Sequence, residues 1–142
     1  MTTYFETSAI VKLLVAEDGS ERADELWDSA DLIATSDLSY AEARAALAAA
    51  RRSGRLTGQG LADARRTLHD RFRDLHRVEV THDVVLSAGD LAEEHALRGY
   101  DAVHLASALA LETPGLILVT WDDDLARAGR RVGFALAGTR SG

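Results

Sequence analysis

Cysteine is missing from this 142-residue chain, which removes disulfides, thiolate metal sites and cysteine nucleophiles together. Lysine is nearly missing too, since Lys12 stands alone against 15 arginines. No apolar run approaches the ~18 residues of a membrane-crossing helix, so no membrane span is expected. The opening Met1-Thr2-Thr3-Tyr4-Phe5-Glu6 lacks the basic and apolar regions of a secretion signal, which makes the cytoplasm the expected compartment. There is no Gly-x-Gly-x-x-Gly fingerprint and no P-loop, which argues against a nucleotide cofactor. His69, His76, His82 and His95 show no metal-ligand spacing.

What is present suits one globular domain, residues 1–142, with a single core: 46% of residues are hydrophobic and 27% charged. The net charge of −7 is unevenly spread. Residues 51–77 hold Arg51, Arg52, Arg55, Arg65, Arg66, Arg71, Arg73 and Arg77 against Asp63, Asp70 and Asp74, a local balance of +5 that leaves −12 on the remainder. A basic segment facing an acidic centre can hold a phosphate backbone over a cation. The plainer reading, that these arginines are solvated helix faces, is the commoner case.

Short apolar segments alternate with helical ones. Strands are expected at Thr3–Phe5, Leu32–Thr35, Val78–Val80, Leu116–Thr120 and Val132–Leu136. Helices are expected from Thr7 or Ser8 as cap, then over Ser20–Asp28, Ser39–Arg52, Gly60–His76, His82–Leu97 (capped by Thr81 and stopped by Gly99), Asp101–Leu111 and Asp122–Arg130, with a frayed tail over Ala137–Gly142. This alternation implies an α/β fold: a three-layer α/β/α sandwich with a short, mostly parallel central sheet.

Four acidic residues fall where these strands end or helices begin: Glu6, Glu42, Asp101 and Asp122. In an open α/β sheet that is where ligands bind. Gathered there, four carboxylates would form an oxygen-rich site suited to Mg²⁺ or Mn²⁺, and thus to metal-dependent phosphodiester chemistry. Three of the four have a local explanation. Ser39-Tyr40-Ala41-Glu42 fits a capping box, Asp101 follows Gly99-Tyr100 as a plain cap would, and Asp122, with Asp123 and Asp124, decorates a helix N-terminus. Glu6 has none, because Glu is a poor N-cap and the strand before it is apolar.

The chain also resembles a known family. Tyr4-Phe5-Glu6-Thr7-Ser8-Ala9-Ile10-Val11-Lys12-Leu13 is similar to the opening of PIN-domain ribonucleases, the VapC-type toxins of toxin–antitoxin pairs. The likeness continues in order through Ser39-x-x-Glu42, Leu97-Arg98-Gly99-Tyr100-Asp101-Ala102-Val103-His104-Leu105-Ala106 and Leu118-Val119-Thr120-Trp121-Asp122-x-x-Leu125. The resemblance implies an endoribonuclease that uses Mg²⁺ or Mn²⁺ to activate water. Glu6, Glu42, Asp101 and Asp122 are its acidic set, and Asp124 is an adjacent ligand candidate. Thr7 or Ser8, and Thr120, are hydroxyls that orient the carboxylates. It also implies a small antitoxin as partner, RNA as substrate, a homodimer and no membrane. The faces Val11–Ala16 and Leu56–Leu75 are groove or core. Where the family ordinarily has Asp, this chain has Glu6, whose extra methylene carries the carboxylate ~1.3–1.5 Å further. A functional but geometrically altered ligand is the expectation.

Other readings attach to the same residues. A weakened site would leave a domain that binds antitoxin or RNA without cutting. Asp122 and Asp124 also fit the Asp-x-Asp pair of a haloacid-dehalogenase-like phosphatase, although little chain follows them to complete it. His104, three residues after Asp101 and among apolar neighbours, is expected to be a packed, hydrogen-bonded helix residue. Lys12 either reaches the acidic set or RNA, or covers apolar surface.

Overall fold

The computed structural model describes residues 1–139. The elements run β1 (Thr2–Phe5), α1 (Thr7–Leu14), α2 (Ser20–Ser29), β2 (Leu32–Ser36), α3 (Leu38–Arg52), α4 (Gly58–Arg73), β3 (His76–Val78), α5 (His82–His95), α6 (Gly99–Ala110), β4 (Ile117–Thr120), α7 (Asp123–Arg131) and β5 (Ala135–Gly138). The strands form one sheet in the order β3-β2-β1-β4-β5, and every pair among them is parallel.

The two-residue period of the strands decides what each face buries. Tyr4 sits level with Ala34 and Leu118 and faces α5, α6 and α7, within a cluster that includes Leu91, Leu105 and Leu125. The next residue, Phe5, level with Val119, turns the other way with Ile33 and packs on Ile10, Leu26, Ala43 and Leu68 from α1 to α4. Phe5 meets Trp27 edge-on at 5.4 Å. Two cores on opposite faces of one sheet make the three layers. Val15, Leu47 and Ala64 form a smaller core with Val11, Leu14, Leu56 and Leu61 packed on it, so much of the apolar surface along Val11–Ala16 and Leu56–Leu75 is interior.

Strand order reverses between β1 and β4: the chain moves from β1 to β2 on one side, and from β4 to β5 on the other. Open α/β sheets bind ligands at this switch point, beyond the carboxyl ends of the strands. Glu6 follows β1 and Asp122 follows β4, two residues beyond Thr120.

Several boundaries differ from the sequence expectation. β3 is His76–Val78, not Val78–Val80, because β2 ends at Ser36 and Ser36 pairs with Val78, leaving no ladder beyond. α5 ends at His95, with Ala96 (φ 54°) as its left-handed C-cap, two residues short of the expected Leu97, since Leu97 is drawn into the core. Val132 and Gly133 close the end of α7, which shifts the last strand to Ala135–Gly138. Ala137 and Gly138, expected to fray, are therefore paired in β5, while 140–142 lie outside the described residues. Among the described residues no helix is long and apolar enough to cross a membrane.

Gly138 marks a close approach beside the switch point. Its φ is +117°, and a Cβ there would lie 2.3 Å from the Thr120 carbonyl oxygen. Gly89, exposed in mid-α5, faces open space. Urea unfolding of two variants should give opposite signs: Gly138→Ala loses about 1–3 kcal/mol through backbone strain and overlap, whereas Gly89→Ala gains about 0.5–1 kcal/mol from helix propensity.

A candidate acidic active site

Glu6, Glu42, Asp101 and Asp122 line one cavity of about 500 Å³, together with Thr7, Ser8, Arg98 and Tyr100. They arrive from four separate segments, so the caps that could explain each singly are not what brings them together.

Glu6 occupies the N-cap position of α1 but makes no capping bond. It is 5% exposed, and its Oε2 accepts from Ser8 Oγ at 2.5 Å and Thr120 Oγ1 at 2.7 Å. Those hydroxyls are oriented in turn by the backbone: Trp121 N–H donates to Ser8 Oγ at 2.8 Å and Asp122 N–H to Thr120 Oγ1 at 3.0 Å. Two peptide dipoles just beyond β4 thus act through hydroxyls on the carboxylate at the end of β1. Ser8 and Thr7 lie inside α1 rather than capping it, which frees both for this work.

Glu42 does not close a capping box. Ser39 bonds Thr35 Oγ1 at 2.6 Å, and Glu42 Oε1 accepts from Thr7 Oγ1 at 2.6 Å and lies 2.6 Å from His104 Nε2. His104 is fully buried, and its Nδ1 is 2.8 Å from the Tyr4 hydroxyl. With the proton on Nε2, both contacts are satisfied: Tyr4 O–H donates to Nδ1, and Nε2–H donates to Glu42. Burial raises the Tyr4 hydroxyl well above its ordinary value, with the Glu6 and Glu42 charges adding to this, so it stays a donor. For Glu42, burial pushes the carboxyl up, but His104, Thr7 and Arg98 outweigh it and hold the group below its ordinary value.

Asp101 lies within the first turn of α6 and is 4% exposed. It does not act as the cap. Arg98 holds the N-cap position, and its Nε donates to Asp101 Oδ2 at 2.9 Å. The same guanidinium donates from Nη2 to Asp122 Oδ2 at 3.1 Å. Asp122 is a true cap as well, since its Oδ1 accepts from Leu125 N–H at 2.9 Å. Burial raises the Asp101 carboxyl, the Asp122 charge adds to this, and Arg98 only partly opposes it.

Asp124 is not brought to the cavity; it pairs with Arg127 at 2.8 Å on the exposed side of α7, which also separates it from Asp122 as an Asp-x-Asp pair. Lys12 turns to Glu17 at 3.0 Å and lies over Trp121, at the border with a neighbouring cavity of about 760 Å³. In the basic segment, Arg66, Arg73 and Arg77 pair with Asp63, Asp70 and Asp37, and Arg71 lies over Trp27; Arg55 reaches the wall of the acidic cavity. The sequence reading assigned no role to Arg98 or Tyr4. The Arg98–Asp101 spacing of three on a helix start was the visible signal for the first.

The donor set is all oxygen and carries more negative charge than Arg98 offsets, which fits a hard divalent cation in kind. Among the described residues, however, no three Asp, Glu or His groups converge closely enough to hold an ion in this arrangement. Each carboxylate is engaged instead by hydroxyl, imidazole or guanidinium.

Comparison with known proteins agrees with this architecture. The PIN domain family matches residues 3–131. The chain is 50% identical over 134 residues to a protein named Ribonuclease VapC45 from Mycobacterium tuberculosis (strain CDC 1551 / Oshkosh), covering 94% of this chain and 93% of that one. Among solved structures it is similar to M. tuberculosis VapC20, a sarcin-ricin loop cleaving toxin (TM-score 0.68, 22% identity, 89% and 95% of the two chains). It is also similar to VapBC-5 of M. tuberculosis, a member of the VapBC family of toxin–antitoxin systems (TM-score 0.64, 22% identity, 97% and 98%).

The two pKa shifts make opposite stability predictions. Folding lowers the Glu42 carboxyl below 4.5, so its ionised form contributes stability that is present above that value and lost as pH falls through the lower folded one. Folding raises Asp101 above 3.8, so its ionised form costs stability at neutral pH, a cost that disappears below 3.8. With EDTA at pH 7, thermal unfolding should show Glu42→Gln lowering Tm and Asp101→Asn raising it by about 1–3 °C. Both differences should shrink at pH 3.

Proposed function

This chain belongs to the PIN-domain family, and from that premise we propose that it is an endoribonuclease whose acidic cavity works with Mg²⁺ or Mn²⁺. The observation that carries this reading is that four carboxylates line one cavity at the β1/β4 switch point, with Ser8, Thr120 and Thr7 already aimed at two of them. Half identity to a VapC ribonuclease over nearly its full length supports RNA as the substrate.

Glu6, Asp101 and Asp122 are the residues that would hold the ion, with Glu42 beside them. A divalent ion at such a site lowers the pKa of a water and offsets charge on phosphoryl oxygens. The protein's own part is positional. Ser8 and Thr120 fix one oxygen of Glu6. Thr7 and the buried Tyr4–His104 pair fix Glu42 and keep it ionised. Water attacks phosphorus in line, the P–O bond to the departing ribose oxygen breaks, and the proton lost by water passes to solvent or to a carboxylate. No covalent enzyme intermediate is needed. The cleft continues from the acids along Val11, Val15, Ala46 and Ala49 towards Arg55, a wall with apolar and basic character suited to a segment of another chain.

The partner in this reading is a small antitoxin protein, supported by the VapC relative and by the toxin–antitoxin membership of the VapBC-5 neighbour. A homodimer belongs to the same reading. Glu6 in place of Asp is a working ligand here, because both hydroxyls that hold it meet the longer side chain.

Purified chain with Mg²⁺ or Mn²⁺ should cleave a structured RNA, and EDTA should abolish the cleavage. Asp122→Asn should lose more than about 100-fold and Thr120→Val, which removes only an orienting hydroxyl, about 10–100-fold. Glu6→Asp should lose activity rather than gain it. Cleavage that appears only in Glu6→Asp would show the native site to be silent.

A further inference from the structure

Among the described residues, Arg98 is the one arginine or lysine in direct contact with the acidic set. Its Nε and Nη2 reach Asp101 Oδ2 and Asp122 Oδ2 at 2.9 and 3.1 Å, so one planar guanidinium cross-links two carboxylates from α6 and the start of α7. The other basic groups at the cavity do not share this position: Lys12 is paired with Glu17, and Arg55 lies on the apolar wall. Arg98 is itself 62% exposed, whereas Asp101 is buried at its side. The contact is therefore anchored on the carboxylate side and free to open on the arginine side. Tyr100, half exposed, offers the displaced guanidinium a perch, since its ring centroid is already 5.3 Å from the Arg98 head.

A guanidinium and a divalent ion compete for the space between the same pair of oxygens. A small divalent ion needs its ligand oxygens at about 2.0–2.1 Å, whereas a guanidinium holds carboxylates at hydrogen-bond distance and fills the space between them.

We propose that Arg98 is a resident counter-cation of the acidic site, bridging Asp101 and Asp122 and competing directly with the divalent ion for them. The inference rests on the reading of this cavity as a metal site. Arg98 is thus a positioning residue: it keeps the two aspartates together while the ion is away and sets how tightly the ion binds. Loading the site requires the guanidinium to swing towards Tyr100, an opening motion confined to one exposed side chain.

The test is a calorimetric titration of Mn²⁺ into the full chain stripped of metal, without RNA, comparing wild type with Arg98→Gln, Arg98→Lys and Arg55→Gln. Arg55→Gln removes a charge from the same cavity without touching the aspartates, and so reports the general field alone. Direct competition predicts a Mn²⁺ Kd about three- to tenfold tighter in Arg98→Gln, the scale of losing exposed ion pairs. Arg98→Lys, a point charge that cannot fork across two carboxylates, should fall between. Arg55→Gln should change Kd less than about twofold, being screened. Circular dichroism checks that each variant folds, and Arg98→Lys carries the test if Arg98→Gln does not. Wild-type binding with an unchanged or weaker Kd in the Arg98 variants overturns the competition and leaves the metal site standing. An Arg55→Gln effect equal to that of Arg98→Gln overturns direct displacement in favour of a diffuse field. Absence of Mn²⁺ binding in every chain overturns the metal-site reading itself, and the competition with it.

Discussion

Mutual repulsion among carboxylates crowded beyond two adjacent parallel strands is the constraint around which this structure is arranged. Two unit charges about 4 Å apart repel by roughly 1 kcal/mol in water and about 4 kcal/mol at the effective dielectric of a protein surface. Against a total stability of about 5–15 kcal/mol, even one such pair left without a counter-charge is a large cost. The fold answers with a different partner for each acid. Hydroxyls backed by peptide N–H groups meet Glu6, a buried imidazole and a hydroxyl meet Glu42, and a guanidinium spans Asp101 and Asp122. The compensation is incomplete at Asp101, whose carboxyl stays raised by burial and by its neighbour. That residual strain is what a ribonuclease of the PIN family would relieve by taking up a divalent ion.

The partners reach far into the fold. Tyr4 lies in the middle of the central strand, and His104 lies one turn beyond Asp101 on the helix that covers that face. One hydrogen-bonded line from Tyr4 through His104 to Glu42 therefore ties the sheet, α6 and α3 to the site. Thr120 does the same from β4, donating to Glu6 while accepting from the peptide of Asp122. Core packing and site geometry are not separable at Glu6 and Glu42, because Tyr4, His104 and Thr120 are fully buried.

Much of this was legible in the residues. Apolar segments in alternation with helices pointed to parallel layers, and the positions of the four acids at element boundaries pointed to one end of the sheet. Local rules failed where tertiary contacts overrode them. Ser39-x-x-Glu42 has the letters of a capping box, but β2 brings Thr35 to Ser39 and α6 brings His104 to Glu42. Leu97 ends α5 at an alanine because burial of a leucine outweighs the lack of a glycine. Asp122 could not be assigned by choosing between cap and site, since its two oxygens do one job each. Arg98 was half legible: its spacing of three from Asp101 shows in the sequence, but its second contact spans 24 residues and two elements.

Glu6 gathers these strands of argument. It ends the central β-strand, stands at a cap position without capping, and is held through hydroxyls from α1 and β4. The central claim is that its carboxylate, with those of Asp101 and Asp122, forms a single cation site at the β1/β4 switch point. Anomalous diffraction from crystals grown with Mn²⁺ tests this most directly. A peak is expected about 2.1 Å from oxygens of these carboxylates, with Arg98 withdrawn from between the aspartates. A peak elsewhere on the molecule, with Arg98 still bridging Asp101 and Asp122, would contradict it.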